Sequence, residues 1–310
     1  MNVTSLIALQ RFKGIGRTKA LKVASEVPSD PLEFKDYVEL KFSRRAMETR
    51  LAWDRALRII EQCEKLGIHP VAVTDDTCYP DRLHSIQGKK PKPPVLYIKG
   101  SIDALRHDSV VVAIVGTRNP TENGINAAYG FGKFAATNHI PVVSGLAYGC
   151  DVVSHRGCLE HGGIAIAVMA HGLDIVYPPE HLKLADQIIE QNGCLVSEYP
   201  PGTKSARWTF VDRDRIQSGL SDFVIVAQTG KHGGTHHTAK AAQEQGRKIF
   251  CVEPQESETD HPSVEGMYDI INNQGAEWIT NPEDLLLKIS GHDRISQGDN
   301  TEVRQLELEF

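Results

Sequence analysis

From residue 109 onward, six apolar runs separated by helix-forming stretches set the strongest limit on how this chain can fold. The runs are SVVVAIVG, IPVVSG, GIAIAVMA, GCLVSE, DFVIVAQ and RKIFCVE, with helical patterns near 124–138, 151–160, 179–192 and 235–245. Strands that are apolar throughout, rather than at alternate positions, are covered on both faces, and an intervening helix supplies the crossover that parallel pairing needs. The expected fold class is therefore α/β, a doubly wound, mostly parallel Rossmann-like sheet. Its ligand site belongs at the C-terminal ends of the strands, where the loops GTRNPTENG, SGLAYGCD, AHGLDIVYPPEH, SEYPPGT and TGKHGGTHHT gather.

Residues 1–70 follow a helical period instead and are expected to form a small N-terminal helical domain. Leu6, Ile7 and Leu9 precede a Gly14-Ile15-Gly16 turn, and Ala20, Leu21, Val23 and Ala24 follow it at helical spacing. The pattern resembles a helix-hairpin-helix or SAM-like unit, whose turn can offer backbone N–H groups to a phosphate, but it equally suits a tight turn inside a helical domain. One amphipathic helix is expected over 44–67. Residues 71–108 carry short strands at Val71–Val73 and Val95–Ile98 around the basic, proline-rich GKKPKPP, with Lys89, Lys90 and Lys92. The Rossmann-like domain is expected over 109–280, and 281–310 as a short helix with a flexible tail.

Composition narrows the function. Lys+Arg 34 against Asp+Glu 40 gives a net charge of −6 over 310 residues, so any nucleic-acid site must be a local patch. The six cysteines form no CxxC pair, which argues against a zinc ribbon or a disulfide framework. No stretch approaches the roughly 18 apolar residues of a membrane span, and a cytoplasmic protein is expected.

Three loops carry candidate chemistry. Gly116, Thr117 and Arg118 end the first strand, where a glycine admits a ligand to the backbone and an arginine fork suits a phosphate. Ser144 and Gly145 end the second strand, with Asp151 placed to cap the next helix. In SEYPPGTKSARWTFVDRDRIQSGLSD, Trp208 and Phe210 interleave with Lys204, Arg207, Arg213 and Arg215, the densest mixture of stacking and phosphate-pairing side chains in the chain. The same segment also suits a buried aromatic corner with its arginines paired to Asp212 and Asp214.

These motifs, in this order from CYPDRLHSIQGKKPKPPVLYIKG to TAKAAQEQGRKIFCVE, resemble the DNA-processing protein A (DprA/Smf) family over roughly 78–280. The resemblance implies single-stranded DNA binding, a homodimer with Glu265–Ile279 in its interface, and loading of the recombinase RecA, usually in natural transformation. By position it carries strand contacts to Arg118, Arg207, Phe210, Arg213 and Arg215. Asp214 stands between the last two and would put a negative charge in the phosphate pocket.

The chain departs from the family at Gly233-Gly234-Thr235-His236-His237-Thr238, which is similar to the phosphate loop of the lonely-guy (LOG) nucleoside phosphoribohydrolases. Those enzymes need a carboxylate just after the loop, and here His237 and Thr238 stand there. The loop is therefore expected to cradle phosphate through Gly233, Gly234, Thr235 and Thr238 without catalysis. The alternative is a nucleotide sensor or nucleoside phosphate-cleaving enzyme of the LOG/Smf superfamily, with phage defence as its setting. No cofactor or metal is expected: His232 and His236 have no carboxylate or cysteine beside them in the loop. In the tail, Gln305, Leu306, Leu308 and Phe310 form QLELEF, similar to peptides that dock on the replication sliding clamp.

Overall fold

The computed structural model describes residues 3–88, 90–106 and 110–288. The expected clamp peptide, Gln305 to Phe310, lies outside the described residues.

Four helices come first: α1 (Val3–Leu9), α2 (Arg17–Lys22), α3 (Pro31–Phe42) and α4 (Ala46–Leu66). Asp30 starts α3 by accepting from the backbone N–H of Leu32 (2.8 Å) and Glu33 (3.1 Å), with Pro31 preset for the first helical position. Gly67 ends α4 in the left-handed region, at φ 64°. The chain then enters the sheet through β1 (Ile68–Ala72) and β2 (Val95–Gly100), so the first strand starts three residues earlier than its apolar pattern indicates.

The alternating part runs β3 (Val112–Gly116), α5 (Glu122–Thr137), β4 (Val142–Ser144), α6 (Cys150–Leu159), β5 (Ala165–Met169), α7 (Leu182–Glu190) and β6 (Cys194–Ser197). It continues through α8 (Arg207–Gly219), β7 (Phe223–Gln228), α9 (Thr235–Glu244), β8 (Lys248–Val252), α10 (Glu265–Gln274) and β9 (Glu277–Ile279). All nine strands join one sheet in the order β1-β2-β6-β5-β4-β3-β7-β8-β9. The ladders from β6 to β9 are parallel, while β1 with β2 and β2 with β6 are antiparallel. Every residue of β5 and β7 is buried, as continuous apolar runs require. The chain is an α/β protein with a mostly parallel Rossmann-like sheet and N-terminal helices, and one apolar core joins Leu6, Phe34 and Ala56 of those helices to Ile98, Ile166 and Phe250 of the sheet.

The strand order locates the site. From β3 the chain winds outward through β4, β5 and β6, then returns across to β7 on the other side of β3. At that switch the connections leave in opposite directions and open a crevice beyond the strand ends. Gln228, the last residue of β7, ties this strand to the loop after β3: its Oε1 accepts from Thr121 N (2.9 Å) and its Nε2 donates to Thr121 Oγ1 (2.8 Å). Thr121 in turn caps α5 by accepting from Gly124 N (3.3 Å).

All six cysteines are free. Cys63, Cys150, Cys158, Cys194 and Cys251 are buried and Cys78 is half-buried. Burial pushes the thiols of Cys63, Cys150, Cys158 and Cys251 up to about 12, and that of Cys194 upward as well. Among the described residues no helix is long and apolar enough to cross a membrane.

Candidate nucleic-acid interface

A cleft of about 590 Å³ opens at the switch between β3 and β7. One wall is the loop after β3 with Gly116, Thr117 and Arg118; the other is Gly233, Gly234, Thr235 and Thr238 at the start of α9. The exposed start of α8 supplies Arg207 and Phe210, and its buried part supplies Arg213, Asp214 and Gln217.

Nothing in the apolar pattern marks α8 as a helix, because its buried side is mostly polar and charged: Asp212, Arg213, Asp214, Arg215, Gln217 and Ser218 are all buried. Thr209 begins it, its hydroxyl accepting from Ala206 N (2.8 Å) and donating to Ala206 O (2.7 Å). Charges this deep persist only when paired and hydrogen-bonded. Arg215 meets that demand with two parallel bonds to Glu198, Nη1 to Oε1 at 2.9 Å and Nη2 to Oε2 at 2.8 Å, and with further bonds to Lys90 O and Pro91 O. Arg213 donates through Nη1 to Gly145 O (2.8 Å) and Val168 O (2.6 Å), and through Nε to Asp214 (3.2 Å).

The residues singled out from sequence therefore separate into two groups. Gly116, Arg118, Arg207, Phe210, Arg213, Gly233, Gly234, Thr235 and Thr238 line one cleft. Arg215 is turned away from it and held by Glu198, so its fork is not free for a phosphate. Ser144 is fully buried and donates to Ile114 O (2.6 Å), bracing β4 against β3. Gly145 is a packing position: a Cβ there would stand 1.8 Å from Arg213 Nη1. Lys204 is exposed and outside the cleft lining. Arg213 keeps one free edge, since its Nη2 makes no hydrogen bond with a described residue.

At the rim the Arg118 guanidinium lies 5.2 Å from the centre of the Phe210 ring, and Tyr177 stands 6.1 Å from it on another side. With Tyr148, these residues border a smaller recess continuous with the cleft through Arg118, Ala147 and Phe210. Tyr148 and Tyr177 are both more than 40% exposed, which leaves ring faces open to stacking. Both lie in loops assigned to the ligand end from sequence, yet neither stands in a charged context that would have singled it out.

The floor is acidic but not fully charged. Asp214 is only 8% exposed; burial pushes its carboxyl up to about 7, against the pull of Arg213 and with a push from Asp151. Asp151 is also raised by burial, and its Oδ2 accepts from Gly145 N (3.2 Å). The negative charge expected at Asp214 is thus partly quenched at neutral pH. Among the described residues no group of three or more His, Cys, Asp and Glu could hold a metal ion. His236 is spent on a bond between its Nε2 and Gly230 O (3.3 Å). At the start of α9 the backbone N–H groups of Gly234 and Thr235 make no hydrogen bond to a described residue, and Arg118 and Arg207 line the same cleft.

The site is thus a cleft at the topological switch of an α/β sheet, where the start of α9 meets Arg118, Arg207 and the half-buried Phe210. The chain belongs to the family of DNA recombination-mediator protein A, which it matches over residues 70–290. It is 34% identical over 247 residues to protein Smf of Escherichia coli, covering 80% of this chain and 61% of that one. This chain therefore spans less than two thirds of the length of that relative. Among solved structures it is similar to DNA processing protein A from Streptococcus pneumoniae (TM-score 0.67, 26% identity, 89% of this chain and 99% of that one). It is also similar to the Helicobacter pylori DNA processing protein A, described with a single-stranded DNA binding mode (TM-score 0.62, 25% identity, 73% and 96% covered).

Proposed function

We propose that the cleft between β3 and β7 binds single-stranded DNA without base readout and without catalysis, as part of a recombination mediator. The observation that carries this reading is the Arg118–Phe210 pair, a guanidinium 5.2 Å over an aromatic ring in the same cleft as the start of α9. A single strand presents that same alternation of phosphate and base face, whereas a duplex hides its base faces. Membership of the family and the single-stranded DNA binding of the Helicobacter pylori protein support it. Loading of RecA and a homodimer built around Glu265–Ile279 belong to the same proposal and rest on family membership.

Fluorescence anisotropy of a labelled oligo-dT strand and its duplex, titrated at two salt concentrations, tests it. Salt-sensitive preference for the single strand supports the reading; equal binding of both, or of neither by folded protein, removes it. Sedimentation at micromolar concentration tests the dimer.

One observation favours a second reading, a small phosphorylated ligand such as a mononucleotide. The near-neutral Asp214 beneath the cleft could donate a hydrogen bond to a ligand, a feature that a site for a passing polyanion does not need. Thermal stabilisation by mononucleotides together with no oligo-dT binding would select it.

A further inference from the structure

The cleft has an exit. Past Val211 and His237, which line both spaces, it opens into a groove of about 750 Å³ between Ile86, Gln87, Gly88 and Lys90 on one side and α9 on the other. The groove is lined by Gln87, Gly88, Lys90, Lys240 and Gln245, with Arg215 at its base. Arg215 is neutralised by Glu198 and does not count toward the open charge. Glu244 is the one carboxylate among the lining residues. Lys90 has an ion pair with Asp212 (Nζ to Oδ1, 2.8 Å), yet its side chain remains half exposed. Lys240 is exposed and makes no ion pair with a described residue.

His237 stands at the junction of the two spaces. Burial first, and then the charges of Lys90, His236 and Lys240, hold its imidazole below the usual histidine range. Lys90 and Lys240 themselves line the groove, the first from the segment before β2 and the second from α9. A space this wide and polar, with the half-exposed Lys90 and the exposed Lys240 against one carboxylate, Glu244, suits a polyanion backbone rather than a compact apolar ligand. It shares Val211 and His237 with the cleft and no lining residue with the Tyr148 and Tyr177 recess.

We propose that a single DNA strand held in the cleft continues past Val211 and His237 into this groove, where Lys90 and Lys240 take its phosphates. The inference rests on the single-stranded DNA reading above and adds a second contact region and a direction for the strand. The tyrosine and Phe210 end stacks bases, the middle grips phosphate at Arg118, Arg207 and the start of α9, and the lysine end draws the following nucleotides along α9. The groove itself has no exposed aromatic lining, so it adds electrostatic affinity and little stacking.

The test uses oligo-dT strands of about 5 and about 15 nucleotides, lengths within the span of site sizes known for single-strand binders. Wild type is expected to bind the longer strand about tenfold more tightly. Its log K against log salt should be steeper by about 1.4, the slope of two added phosphate contacts at roughly 0.7 each. Lys240→Glu should lose most of that gain and flatten the slope, while its affinity for the short strand stays within about twofold of wild type. Phe210→Ala should weaken both strands alike and keep the length dependence. If Lys240→Glu and wild type gain equally from added length, or wild type gains nothing, the groove is not part of the path. If folded wild type binds neither strand, the single-stranded DNA reading itself fails, a result distinct from loss of the length effect.

Discussion

Arg17 Nε lies 2.8 Å from Glu198 Oε2, and its Nη1 lies 2.9 Å from Asp212 Oδ2, so the residue just after the Gly14-Ile15-Gly16 turn is bound to the end of β6 and to α8. Lys90 and Arg17 hold Asp212 below the usual carboxylate range although burial opposes it. The turn's arginine therefore fastens the N-terminal helices to the sheet instead of reaching outward. Arg17→Ala is expected to cost about 1.5–3 kcal/mol of stability, the range for hydrogen bonds to charged groups. Oligo-dT affinity should be unchanged. Denaturant titration and anisotropy on one preparation check both; a loss of affinity without loss of stability would restore the turn as a DNA contact.

Phe210→Ala should weaken oligo-dT binding by about 1–3 kcal/mol through the lost stacking face. Arg118→Ala should instead flatten the salt dependence by about 0.7 in slope, the signature of one phosphate contact. Anisotropy across a salt series separates the two effects.

Arg215→Ala is expected to act on the fold, not on the ligand. It leaves Glu198 buried with only Arg17 as a partner, and breaking a buried pair from one side costs about 3–5 kcal/mol. Chemical denaturation should register that loss, while the protein that remains folded at low temperature binds oligo-dT normally.

Gly145→Ala places a methyl group where Arg213 Nη1 now sits, and Arg213 is locked by two carbonyls and cannot yield without losing both. Overpacking of this kind costs about 1–3 kcal/mol, and a melting curve would record it.

Asp214 makes stability and binding depend on pH in a defined direction. Its folded-state pKa, about 7, lies above that of an unfolded aspartate, so its contribution to stability is full below the unfolded value and is lost as pH rises toward and through 7. Asp214→Asn should remove this slope and make the protein relatively more stable at pH 8. Oligo-dT should bind more tightly to wild type at pH 6 than at pH 8, beyond the trend of the variant, because the protonated side chain no longer repels phosphate. Melting and anisotropy at both pH values measure the two effects.

The parallel sheet was legible because its information is local: six runs of Val, Ile, Ala and Phe need no distant partner to declare themselves buried strands. α8 was not, since WTFVDRDRIQSG has no apolar stripe and its burial depends on Glu198, Gly145 and Val168, which come from other loops and strands. α10 and β9 were likewise hidden in EGMYDIINNQGAEWI, which resemblance marked only as a candidate interface. In the cleft, the exposed Arg118 and Arg207 and the half-buried Phe210 could be picked out by residue type and position. Arg213 and Arg215 carry the same residue type, and only the three-dimensional pairing shows one held by Asp214 and two carbonyls at the cleft and the other held by Glu198 outside it.

Thiol burial has a practical consequence. Five of the six cysteines combine enclosure with a raised pKa, so at neutral pH they offer almost no thiolate to an alkylating reagent. Cys78 alone has solvent access, in the loop after β1 and outside the lining of the cleft and groove. A maleimide dye should therefore attach at one place in the folded chain, giving a native fluorescent reporter of strand binding with no engineered cysteine.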